Sequence, residues 1–116
     1  MNKTSQIILI FLFTNLCFAQ NGKILSKRLV DITKTPIWRG ISQDNELHSN
    51  FEHLNNLDFY FITYLSDSVK VRGIVVEPKA KGKYPVVIFN RGGNRSFGRL
   101  TIGTLIGYTS KLAEQG

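Results

Sequence analysis

The stretch that most constrains this chain is Val86-Val87-Ile88-Phe89. A short, unbroken apolar run reads as a strand buried on both faces. Pro85 stands at its first position, where a strand tolerates a missing N–H. The run is halted by Asn90-Arg91-Gly92-Gly93-Asn94. Two glycines directly after a buried strand let the backbone turn sharply and leave its N–H groups bare above the sheet edge. Further on, Leu105, Tyr108, Thr109 and Leu112 recur at helical spacing, with Gly103 and Gly107 allowing close packing on the sheet. Gly116 is placed to terminate that helix. Strand, glycine turn and helix form one unit, with its chemistry concentrated in the turn.

Upstream, residues 58–66 (DFYFITYLS) are rich in aromatic and β-branched residues and predict a strand. Asp67-Ser68 makes a two-residue turn, although glycine would be easier at position 68. Residues 69–77 return as the second strand, with Val69 and Val71 alternating against Lys70 and Arg72, and Pro78 ends it. Lys79, Lys81 and Lys83 then lie in a solvated loop. No aromatic residues interleave with these lysines, which argues against a nucleic-acid site.

Taken in order, the segment Val71-Arg72-Gly73-Ile74-Val75-Val76-Glu77-Pro78, the basic loop, Tyr84 to Asn94 and Leu112 to Gly116 resemble the start of an α/β-hydrolase catalytic domain. The likeness is to the prolyl-oligopeptidase-type (peptidase S9-like) serine hydrolases and covers residues 58–116. It implies an α/β fold class, as an incomplete α/β-hydrolase sheet: β-hairpin, third strand, oxyanion loop and first helix. By that resemblance Arg91, Gly92 and Gly93 form the oxyanion loop, whose N–H donors face a carbonyl oxygen that gains charge in the transition state. Such donors are worth roughly 3–4 kcal/mol each. Relatives often place a tyrosine hydroxyl before the glycine pair, where this chain has Arg91. Arg91 could donate to an oxyanion, bind a substrate carboxylate or serve as a structural ion-pair partner.

The catalytic triad is absent. No Gly-x-Ser-x-Gly elbow occurs, and Ser96 and Ser110 have no histidine downstream, while His48 and His53 precede the expected sheet. A serine without its base contributes little. The expectation is a serine hydrolase truncated before its nucleophile and inactive alone, whose intact parent takes a peptide or ester substrate without metal or organic cofactor. A different reading makes the chain a small exported basic module with an anion site at Arg91-Gly92-Gly93. No nucleotide-binding glycine motif accompanies those residues.

Residues 1–19 have the pattern of a cleaved signal peptide. Lys3 supplies a basic start, residues 7–18 are almost wholly apolar, and Cys17 and Ala19 place cleavage after Ala19. The apolar run is shorter than the roughly 20 residues of a spanning helix, so no stable membrane span is expected after cleavage. The expected location is secreted or periplasmic. Removing Lys3 lowers the net charge from +7 to +6, and losing Cys17 leaves a chain without a thiol. Disulfides, cysteine zinc sites and a cysteine nucleophile are thereby excluded.

Residues 20–57 read as a leader of open structure. Ile24, Leu25, Leu29, Val30 and Ile32 suit either a strand or a helix before Pro36, and Trp38, the single tryptophan, suits a core gap. Asp44 or Asn45 is placed to cap a helix carrying Leu47, Phe51 and Leu54. His48 and His53 are five apart, share no helix face for a metal, and read as surface histidines.

Overall fold

The computed structural model describes residues 21–90, 92–93 and 98–116. The expected signal peptide, residues 1–19, lies outside them, as do Arg91 and Ser96. The central element is a hairpin of β4 (Leu57–Ser66) and β5 (Val69–Pro78), paired without a break from Leu57↔Pro78 to Ser66↔Val69. Strand β1 (Ile24–Leu29) adds antiparallel to β4, giving the order β1-β4-β5. The strand alternative for Ile24 to Leu29 therefore prevails, with Leu25 the extra residue of an irregularity between Ile24 and Ser26. The hairpin turn keeps Asp67 at φ 47° and Ser68 at φ 67°, the twist of a type I′ turn built without glycine.

Between β1 and β4 the chain folds into small pieces. A 3-10 turn (Ile32–Lys34) is capped by the Asp31 carboxylate, which accepts from the Thr33 amide. The Thr33 hydroxyl, which donates to the same carboxylate at 2.6 Å, and then Lys34 lower the Asp31 carboxyl below its ordinary value. Helix α1 (Trp38–Ile41) leads into a miniature hairpin of β2 (Ser42–Gln43) and β3 (Glu46–Leu47). Asp44 and Asn45, expected to cap a helix, form its turn at φ 52° and 66° instead. Both residue types tolerate left-handed backbone, which serves a tight turn as readily as a cap. A 3-10 segment, Ser49–Asn56, follows and runs into β4.

One face of the sheet carries the core. Alternation along β4 sends Leu57 and Phe59 to that face, where Ile41, Leu54, Ile102 and Ile106 close over them. Trp38 packs half-buried against this cluster, as a gap-filling tryptophan should. Residues 20–57 thus share a core with the hairpin. On the outer face Lys27 bridges to Glu77 at 2.9 Å, with its ammonium 4.0 Å from the centre of the Tyr60 ring.

The C-terminal helix is broken into α2 (Ile102–Tyr108) and α3 (Ser110–Gln115) at Thr109. Thr101 caps α2 through the Thr104 amide, and Thr104 returns the bond to the Thr101 backbone. Ile102, Leu105, Ile106 and Ser110 are the buried positions, whereas Tyr108 and Leu112 are exposed. The core stripe therefore lies one step round the helix from the one expected. Gly116, at φ 90°, follows α3 in left-handed backbone.

Candidate functional site

Pro78 ends the hairpin, and the Lys79 amide and ammonium are held by the Asn56 and Asn55 carbonyls, so the loop leaves β5 at a fixed point. The Tyr84 hydroxyl donates to the Ala80 carbonyl, folding the ring back against Gly82. A Cβ built on Gly82 or Gly116 would stand 2.9 and 2.8 Å from that ring. Glycine at both positions is what lets the ring sit between them.

The run Val86–Phe89 follows, and here expectation and structure differ. It carries no ladder among the described residues, and its side chains are 46–87% exposed. The reason is physical: an apolar strand is buried only when neighbours flank it, and among the described residues no strand flanks it. Phe89 alone is pinned, stacked on Tyr108 at 6.0 Å between ring centres.

Beyond it Gly92 and Gly93 are exposed, and Gly93 has φ 83°. Gly98, at φ 67°, lies so close to the Gly92 carbonyl that a side chain there would collide with it. The loop therefore closes on itself, its two ends meeting through backbone. A Cβ on Gly92 would meet nothing within 4 Å, so its side of the loop is open. Arg91, the third residue of the expected oxyanion loop, falls outside the described residues.

Between the outer edge of β5, residues 84–89 and the C-terminal helix lies a cavity of about 490 Å³. Its walls are mainly apolar: Ile74 and Val76 on one side, Val86 and Val87 on another, Leu105 and Leu112 on the third. Glu77 is paired with Lys27, and the Thr109 hydroxyl donates to the Leu105 carbonyl.

The structure brings together one serine and one histidine that the sequence kept apart. His53 is buried, not a surface residue, and its Nε2 lies 2.8 Å from Ser110 Oγ. Helical spacing within the Ser49–Asn56 segment does not anticipate this burial, because α3 packs across that segment. The Ser110 hydroxyl donates to the Ile106 carbonyl at 2.6 Å, so its single proton is committed. His53 must then donate from Nε2, leaving Nδ1 as a bare, buried acceptor without a partner among the described residues. A general base needs the opposite arrangement: a lone pair facing the hydroxyl and an orienting acid behind it. Ser110 is also fully buried. This pair joins two elements and is not a nucleophile with its base. Among the described residues no group of His, Cys, Asp or Glu is placed to hold a metal, and no helix is long and apolar enough to cross a membrane.

Against known proteins, the chain is similar to the uncharacterized peptidase YtmA of Bacillus subtilis, 36% identical over 52 residues. The match takes in 45% of this chain and 20% of that protein, so the chain spans only a small part of its relative. No family model matches. No solved structure matches either.

Proposed function

We propose that this chain is the N-terminal part of an exported serine hydrolase, a peptidase or esterase of prolyl-oligopeptidase type, and that alone it is inactive. The observation that carries the reading is the partial likeness to a peptidase, which spans only a fifth of that relative. Arg91, Gly92 and Gly93 are its oxyanion loop. The open side of Gly92 and the left-handed Gly93 support this role, because amides can face a reacting oxygen only where no side chain intervenes. The nucleophile, acid and histidine belong to sequence beyond Gly116. Residues 1–19 export the protein to a secreted or periplasmic location and are cut off after Ala19.

A fluorophosphonate probe tests the reading. It should label a longer product of the same gene and leave the 116-residue chain unlabelled. Labelling of the short chain would overturn its inactivity. Absence of a Gly-x-Ser-x-Gly segment and a later histidine from the coding DNA would remove the hydrolase. Phosphate binding that disappears in Arg91→Ala would mark the loop as an anion site instead.

A further inference from the structure

The three-stranded sheet sorts its charged side chains by face. Register places Lys27, Asp58 and Glu77 on the outer face, where Lys27 pairs with Glu77. Arg28, Lys70 and Arg72 fall on the opposite face, the one that carries the core. That face is covered only in part. The core elements close over Leu57 and Phe59, and on β5 their cover ends with Ile74 and Val76. Phe61 stands opposite Ile74 and is 38% exposed, whereas Phe59, two residues earlier, is buried.

Around Phe61 the charges are of one sign. Arg28 on β1 lies in register with Phe61, Arg72 on β5 with Thr63, and Lys70 with Leu65. All three cations are exposed, and among the described residues none has a carboxylate partner. The Arg28 guanidinium lies 5.5 Å from the centre of the Phe61 ring, a cation–π contact. Stacking on a ring leaves the edge N–H groups of a guanidinium unspent, as a fork that fits a carboxylate through two bonds. A second guanidinium, on Arg72, stands two strand spacings away, roughly 10 Å, with the Phe61 ring on the strand between. A metal cation is repelled here, and a small anion reaches one guanidinium at a time. A bilayer is too flat, because the core elements rise above the sheet by about a helix width, roughly 10 Å. A narrow chain carrying several carboxylates meets both the charge and the step.

We propose that this uncovered half of the sheet face, floored by Phe61 and bounded by Arg28, Lys70 and Arg72, binds an extended acidic segment of a partner protein. The segment crosses the strands at the foot of the core elements. Its carboxylates pair with Arg28 and Arg72, and an apolar side chain between them rests on Phe61. Complementary charge steers the encounter, and the ring fixes where the segment settles. The inference does not depend on the hydrolase reading.

The test titrates the full chain into a dye-labelled peptide with two glutamates on either side of two leucines, read by fluorescence anisotropy. The peptide should bind, and the same peptide with lysines for glutamates should not. Arg28→Gln with Arg72→Gln should weaken binding about fivefold or more. Arg28→Lys with Arg72→Lys keeps the charge without the fork and should recover part of that loss. Lys81→Gln with Lys83→Gln removes as much charge from the loop after β5 and should leave binding unchanged. All four side chains are exposed, so each double variant should keep the urea midpoint of the unmodified chain. Equal weakening in the two glutamine variants overturns the site, because net charge alone then draws the peptide. Binding that survives the arginine changes overturns it as well, since the leucines then sit on another apolar surface. So does failure of the acidic peptide to bind. Capture by phosphatidylglycerol vesicles in place of the peptide, lost with the two arginines, would make the face a membrane contact and equally overturn it.

Discussion

The ring of His53 donates to the hydroxyl of Ser110 across 2.8 Å, tying the 3-10 segment before β4 to helix α3 over 57 positions of sequence. Both residues are buried. Ser110→Ala leaves the Nε2–H of His53 without an acceptor and should cost about 1–3 kcal/mol. His53→Leu with Ser110→Ala removes both partners and should cost less than the sum of the two single changes. Urea unfolding followed by the fluorescence of Trp38, half-buried against the core, measures all three variants. Additive single and double effects would show that the bond contributes nothing of its own.

The hairpin turn stores a smaller strain. Ser68 is held at φ 67°, where a Cβ is unfavourable and glycine is at ease. Asp67 must stay, because its amide donates to Asn21 Oδ1 and its carboxylate accepts from Asn21 Nδ2. Ser68→Gly is therefore expected to stabilise the chain by about 0.5–1 kcal/mol, seen as a higher urea midpoint. A lower midpoint would mean that the lost chain stiffness outweighs the relieved strain.

Tyr60 should ionise late. Desolvation of its ring raises the phenol above its ordinary value of 10.0, and the Asp58 and Glu77 carboxylates push the same way. With the folded value above the unfolded one, the native state keeps its proton while the unfolded state loses it. The stabilising difference is thus complete below about pH 10 and is lost as pH rises through the folded value. Tyrosinate absorbance should contain a late component that is missing in Tyr60→Phe. An unchanged titration curve in that variant would assign the component elsewhere.

The exposed run Val86–Phe89 should govern solubility. Four adjacent apolar side chains beside an open sheet edge invite association. Residues 20–116 alone are expected to bind a hydrophobic dye and to self-associate. Val86→Lys with Ile88→Lys should suppress both without disturbing the core, because those side chains touch none of it. A sharp, cooperative melt of an unmodified monomer would weigh heavily against its being part of a larger sheet.

Local pattern alone determined the hairpin: residues 58–66 are rich in aromatic and β-branched residues and the second strand begins by alternating over residues 69–72, so both strands and their turn were legible from composition and spacing. It also marked the glycine loop, because left-handed backbone at Gly93 and the close approach at Gly98 are demands that glycine meets. Only the tertiary structure decided which stripe of the C-terminal helix enters the core, since Ile102–Ile106 and Leu105–Leu112 are equally apolar at helical spacing. It also decided that His53 is buried, because its partner lies 57 positions away and no short-range signal connects them. The physical reason is common to both cases. Periodicity reports which side chains avoid water, whereas the identity of what covers them depends on contacts between distant segments.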